Sequence, residues 1–126
     1  MRCRTLWSSF AYALAGLGYA LRTQRNMRIH VLIAAAVCGL GMWLRLPAGH
    51  WAVIALTVGF VLVVESLNTV IELLIDLVSP EFHPLAKAAK DVSAGAVLLA
   101  ALSSVVVGLC LLGPPLWERL FGGVWE

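Results

Sequence analysis

Charged side chains are scarce in this chain of 126 residues. Asp, Glu, Lys and Arg make up 13% of the sequence and hydrophobic residues 61%, whereas a soluble domain has about 25% charged and about 45–50% apolar residues. The mean hydropathy is +0.92. This balance excludes an ordinary soluble domain and predicts a protein of the lipid bilayer.

Several familiar signatures are missing as well. The three cysteines, Cys3, Cys38 and Cys110, form no CxxC pair, so neither a metal site nor a disulfide framework is predicted from them. The chain has no GxxxxGK[ST] loop and no protein kinase signature, so standard motifs do not identify a nucleotide site. A net charge of +2 is too small to suggest binding to nucleic acid.

Three uncharged stretches dominate the remaining sequence, at residues 29–44, 46–64 and 92–117. A membrane-spanning helix needs roughly 20 apolar residues. Turn signals at Pro47 and Gly49 and at Ser79-Pro80 separate the stretches, and Pro114-Pro115 should end the last helix. We therefore predict transmembrane helices at about 29–46, 51–78 and 84–112, within a single domain of residues 1–126.

The segment before the first span has helical periodicity. Phe10, Leu14, Leu17 and Leu21 fall at i, i+4, i+7 and i+11, the spacing of one helix face. We expect an amphipathic helix over about residues 6–24 that lies in the membrane surface. The predicted fold class is an all-α integral membrane protein with an N-terminal surface helix and three transmembrane helices.

Basic residues are distributed unevenly around these spans. A cytoplasmic N-terminus puts seven of them on the cytoplasmic side and leaves two, Arg45 and Arg119, outside. The positive-inside rule favours this orientation. The seven are Arg2, Arg4, Arg22, Arg25, Arg28, Lys87 and Lys90.

Acidic residues form a stripe on the second predicted span. Glu65, Asn68, Glu72 and Asp76 lie within about 80° of one another at about 100° per residue. A charge at the centre of a spanning helix costs about 2.5–3.5 kcal/mol on insertion scales, so the stripe needs a use or partners. One interpretation is structural, with the carboxylates paired to Lys87, Lys90 or Arg28 to close a helix hairpin.

The stripe also has a chemical interpretation. Glu65, at the membrane boundary, could accept a proton from a lipid hydroxyl, and carboxylates further out could hold Mg²⁺ bound to nucleotide phosphates. Lys87, Lys90 and Asp91 open the third span opposite the stripe. The residues alone predict a membrane site for proton or phosphate chemistry, and a small proton-coupled carrier using Glu65 and Glu72 is the alternative.

The same residues resemble the prokaryotic diacylglycerol kinase family. The resemblance rests on three segments and covers about residues 9–112: Glu65–Glu72 followed by Asp76, then Glu81–Lys87, and Ala89–Asp91 with Ala94–Val97. The stretch Asn26–His30 is similar to a branch found in Gram-positive and related bacteria, whose members often phosphorylate undecaprenol.

The resemblance implies a homotrimer in the bacterial cytoplasmic (inner) membrane that binds ATP with Mg²⁺ at its cytoplasmic face. The lipid alcohol substrate would be diacylglycerol or undecaprenol. Glu65 matches the general base and Glu72 a metal ligand, with Asn68 as a further catalytic residue in the same motif. Six further positions match nucleotide-binding positions: Tyr12, Asp76, Glu81, His83, Lys90 and Asp91. Without the resemblance, His83 would be interpreted as a helix-end residue and Tyr12 as an interface anchor.

One position departs from the family pattern. Members usually carry a glutamate, a second metal ligand, just before the Arg-Asn-Met-Arg stretch, whereas this chain has Gln24. An amide oxygen can ligate Mg²⁺, but with one negative charge fewer. We therefore expect weaker metal binding than in members with the glutamate.

Overall fold

The computed structural model describes residues 5–122, and this part of the chain is helical without strands. It has four helices, α1 (Leu6–Thr23), α2 (Arg25–Trp43), α3 (Ala48–Val78) and α4 (Pro84–Phe121). By length and composition α2, α3 and α4 could each cross a membrane, which confirms the predicted fold class. The expectations for Arg2, Arg4 and Cys3 fall outside the described residues.

A single extended residue separates α1 from α2. Thr5 caps α1 by accepting a hydrogen bond from the Ser8 N–H (3.3 Å). Gln24 then adopts φ −101° and ψ 117°, and Arg28 Nη1 donates to the carbonyl of Arg22 at 2.9 Å, which satisfies an otherwise open carbonyl at the end of α1. Helix α2 thus begins four residues before the expected start of the first span.

The corner between α2 and α3 is a tight capping turn. The Leu46 N–H donates to the Gly41 carbonyl and the Arg45 N–H to the Met42 carbonyl, both at 3.1 Å. This is the Schellman pattern, which requires a left-handed residue just beyond the helix end. Arg45 occupies that position with φ 55°. Pro47 then caps α3, which begins at Ala48, three residues earlier than expected.

Helices α3 and α4 form an antiparallel hairpin. Helix α3 has 31 residues and is roughly 46 Å long at 1.5 Å per residue, so it exceeds a hydrocarbon core of about 30 Å. After the loop at residues 79–83, Pro84 opens α4 in its first turn, where its missing N–H costs nothing.

The expectation that Pro114-Pro115 ends the last helix was wrong. Helix α4 continues through both prolines to Phe121. The prolines remove two backbone donors, but their fixed φ near −65° is helical, and spanning helices tolerate proline where neighbours compensate. The extension packs back on the bundle, because the Arg119 guanidinium stacks 4.9 Å from the Trp43 ring centroid.

Buried residues differ between the two ends of the bundle. At the end with the α2–α3 corner, Leu46, Ile54 and Leu112 form an apolar cluster. Towards the other end, the buried side chains on α3 include Glu65, Asn68 and Thr69. The fold therefore anchors the three spans through apolar contacts at one end and gathers polar groups towards the other.

Replacing Arg45 by glycine should stabilise the protein. The left-handed conformation costs a residue with a Cβ roughly 1–2 kcal/mol, and glycine avoids that cost. We expect Arg45→Gly to raise the free energy of unfolding in detergent micelles by about 1 kcal/mol. Arg45→Ala removes the same charge but keeps the Cβ, so equal gains in both variants would contradict the backbone explanation.

Candidate active site

Glu65 is the most completely buried large side chain in the described part of the chain. It is 1% exposed, and neither carboxylate oxygen has a hydrogen-bond partner among residues 5–122. Among the described residues, His30 on α2 is the one basic side chain within 4.0 Å of it, with Nε2 3.9 Å from Glu65 Oε2. That distance is too long for a hydrogen bond. Both oxygens of Glu65 are therefore available as acceptors.

A cleft of about 310 Å³ lies between α2, α3 and α4, and its lining includes His30, the neighbour of Glu65, but not the buried Glu65 itself. Asn68 and Glu72 line it from α3, and Asn26 and His30 from α2. The remaining lining residues are apolar: Ile29, Ala94, Val97, Leu98 and Ala101. The cleft thus has one polar wall and one apolar wall, which suits a ligand with both kinds of surface.

A chain of hydrogen bonds joins α4 to the polar wall. Ser93 Oγ donates to Asn68 Oδ1 at 2.6 Å, and Asn68 Nδ2 donates to Glu72 Oε1 at 3.3 Å. Ser93 and Asn68 are both buried. The amide of Asn68 therefore has partners on both sides, as buried polar groups require.

The outer end of the acidic stripe is paired. Lys90 Nζ donates to Asp76 Oδ1 across the hairpin, and Lys87 Nζ donates to Asp91 Oδ2 along α4. The structural interpretation of the stripe therefore applies to Asp76. Both pairs are exposed, and such pairs contribute at most about 1 kcal/mol.

The structure spreads the expected site residues over two zones. Glu65, Asn68 and Glu72 share one face of α3, whereas Asp76 and Lys90 pair closer to the loop. His83 caps α4, because its Nδ1 accepts a hydrogen bond from the Leu85 N–H at 3.2 Å. The other expected nucleotide contacts are exposed and outside the lining of the cleft: Tyr12 on α1, Glu81 in the loop and Asp91 on α4.

Sequence reasoning missed two residues of this site. His30 is a lone ionisable residue in an apolar span. It follows Asn26 by four residues and therefore lies on the same helix face. This spacing could have identified it from the sequence. Ser93 had no such signal, because its partner Asn68 lies 25 positions earlier in the chain. Its role depends on the register between α3 and α4.

The polar wall suits a metal held mainly by its substrate. Residues 5–122 contain no group of three or more His, Cys, Asp or Glu side chains that could hold a metal ion. Mg²⁺ commonly binds through one or two carboxylates together with substrate phosphates. Glu72 lines the cleft, and its Oε2 makes no hydrogen bond within the described residues, so it fits this mode.

These features define a small membrane protein of three spans with a polar cleft near one end and a buried carboxylate that has no hydrogen-bond partner within residues 5–122. A family model described as prokaryotic diacylglycerol kinase matches residues 11–112. The chain therefore belongs to the prokaryotic diacylglycerol kinase family, as the motifs predicted.

Curated relatives agree with this assignment. A diacylglycerol kinase of Synechocystis is 53% identical over 86% of this chain, which spans only 62% of that relative. An undecaprenol kinase of Bacillus subtilis is 41% identical over 87% of this chain and 89% of its own length. A diacylglycerol kinase of Escherichia coli is 33% identical over 70% of each. The matches support a lipid kinase and give no support to the carrier alternative.

Proposed function

We propose that this chain transfers the γ-phosphate of ATP to the hydroxyl of a membrane lipid alcohol, diacylglycerol or undecaprenol. The observation that carries the proposal is Glu65, a carboxylate that is buried in a spanning helix and has no hydrogen-bond partner among the described residues. Burying such a group is costly unless it is compensated or used. The cleft, with its polar and apolar walls, suits the junction between a lipid and a phosphate.

In this mechanism Glu65 acts as the general base. The lipid oxygen forms a bond to the γ-phosphorus while the bond to the bridging oxygen of ADP breaks, and Glu65 takes the hydroxyl proton. Phosphoryl transfer asks mainly for positioning and charge stabilisation from the protein. Neither Glu65 oxygen accepts a hydrogen bond within residues 5–122, so a lipid hydroxyl that reaches it would compete with none from this part of the chain.

Glu72 and Asn68 form the phosphate side of the proposed site. Glu72 would hold Mg²⁺, which neutralises charge on the β- and γ-phosphates when it is bound. Asn68 has a second Nδ2–H beyond the one it gives to Glu72, and it can donate this hydrogen to a ligand oxygen.

The charged residues near the loop are proposed to contact the nucleotide. Lys90 carries three donors and gives one to Asp76, so the others remain for phosphate oxygens. We assign the outer parts of the nucleotide to the remaining positions implied by the family: Tyr12, Asp76, Glu81, His83 and Asp91.

We further propose that the site faces the cytoplasm from a bacterial inner membrane, in a homotrimer. The α1–α2 junction and the start of α4 lie at the same end of the bundle. Five of the described basic residues lie there: Arg22, Arg25, Arg28, Lys87 and Lys90. Arg45 and Arg119 lie at the opposite end. This asymmetry supports a cytoplasmic orientation, which gives the site access to ATP.

Glu65→Gln tests the base. We expect turnover at saturating lipid to fall by roughly 10²–10⁴-fold, the usual contribution of a general base. The midpoint of thermal unfolding should be no lower than in wild type, because the carboxylate has no hydrogen bond to lose. Glu118→Gln, a matched charge removal on the last turns of α4, should leave turnover unchanged. Wild-type turnover in Glu65→Gln would remove Glu65 from this role.

Gln24→Glu tests the second metal ligand. Gln24 is half-buried and its side chain makes no capping hydrogen bond. Two residues later, Asn26 lines the cleft together with Glu72. A carboxylate at Gln24 should lower the half-saturating Mg²⁺ concentration at fixed ATP by a few-fold, because hard cations favour carboxylate oxygen. Nearby arginines limit the gain.

Two comparisons make this titration specific. Thr23→Glu places the same charge one position earlier and should change the half-saturating Mg²⁺ concentration less than Gln24→Glu does. Glu72→Gln should raise it. If Gln24→Glu leaves the half-saturating Mg²⁺ concentration unchanged while Glu72→Gln clearly raises it, then Gln24 is not a ligand of the metal.

A further inference from the structure

Ser93 is a buried hydroxyl that no family motif explains. It lies on α4, is 6% exposed, and its Oγ donates to Asn68 Oδ1 at 2.6 Å. Other serines of α4 bond back to their own helix, as Ser104 Oγ does to the Ala101 carbonyl at 2.7 Å. Ser93 differs from them because its hydroxyl donates to a side chain of another helix.

The polarity of this network is fixed from one end. Asn68 Nδ2 donates to Glu72 Oε1 at 3.3 Å, the orientation that a metal-binding carboxylate requires because it offers only acceptors. Asn68 Oδ1 must then face α4, where only a donor can satisfy it. Ser93 supplies that donor. Without Ser93, the buried Oδ1 of Asn68 would lose its donor and the amide would lose its anchor on α4.

We propose that Ser93 is a positioning residue that anchors the Asn68 amide through its Oδ1 and, through that amide, holds the Glu72 carboxylate for a divalent cation and its nucleotide. The inference rests on the proposed role of Glu72 as the metal ligand. Because Glu72 Oε1 accepts from Asn68, Oε2 is the oxygen left for the cation. Because Asn68 Oδ1 accepts from Ser93, Asn68 acts as a donor and does not ligate the cation.

Binding of Mn²⁺ tests this without requiring turnover. Electron paramagnetic resonance would measure the affinity of the full chain in lipid nanodiscs for Mn²⁺, with a non-hydrolysable ATP analogue present. Ser93→Ala should weaken Mn²⁺ binding roughly threefold to tenfold, the usual range for a lost hydrogen bond. The lipid concentration that gives half-maximal turnover should stay the same, since Ser93 acts on the phosphate side.

Two variants separate the hydroxyl from packing. Ser93→Thr keeps the hydroxyl. Ser93 lines an apolar groove of about 760 Å³, which can accommodate the added methyl group. The Ser93→Thr variant should therefore bind Mn²⁺ like wild type. Ser104→Ala removes a serine hydroxyl from the same helix and should have no effect. If Ser93→Ala fails to fold, Ser93→Cys replaces it, because a thiol is a weak donor of nearly the same size.

Each outcome decides the proposal. Wild-type affinity in Ser93→Ala overturns it, as does equal weakening in Ser93→Thr or in Ser104→Ala. A wild-type protein that binds no Mn²⁺ also overturns it, because Glu72 would then hold no cation. Normal Mn²⁺ binding without phosphate transfer to any lipid alcohol would instead contradict the proposed kinase activity and leave the role of Ser93 intact.

Discussion

Polar side chains inside a bundle that spans lipid need partners within the protein, because the hydrocarbon core offers no water to replace them. Along the acidic face of α3, the carboxylates are less closely paired with increasing distance from the α3–α4 loop. Asp76 has Lys90 across the hairpin, and Glu72 has Asn68, which in turn has Ser93. Within the described residues, Glu65 has His30 at 3.9 Å and no hydrogen bond. Among the carboxylates of this face, Glu65 is the one without a hydrogen bond within residues 5–122, and it is the one that we propose takes the proton.

This arrangement needs a rigid surrounding. The apolar cluster of Leu46, Ile54 and Leu112 joins the corner between α2 and α3 to the far part of α4, and the capping turn at Arg45 fixes that corner. The polar groups lie towards the opposite end of the same helices. Stability and chemistry are therefore separated along the bundle, which allows a costly buried carboxylate to persist.

Much of this fold follows from local rules. The uncharged stretches predicted three spans, and the helical period placed Glu65, Asn68 and Glu72 on one face. Details of the helix ends were less accessible. Gln24 alone interrupts the helix between α1 and α2, and Arg45 adopts a conformation that favours glycine. Helix α4 continues through Pro114 because a φ near −65° is compatible with a helix. The pairing of Ser93 with Asn68 was out of reach, since it depends on how two helices pack.

Phosphate transfer itself is the most direct test of the account. Purified protein in bilayers would receive ATP labelled in the γ-phosphate, together with diacylglycerol or undecaprenol in separate reactions. We expect label in at least one lipid phosphate, with a requirement for a divalent cation. ATP bound at the cleft without label in either lipid would contradict it.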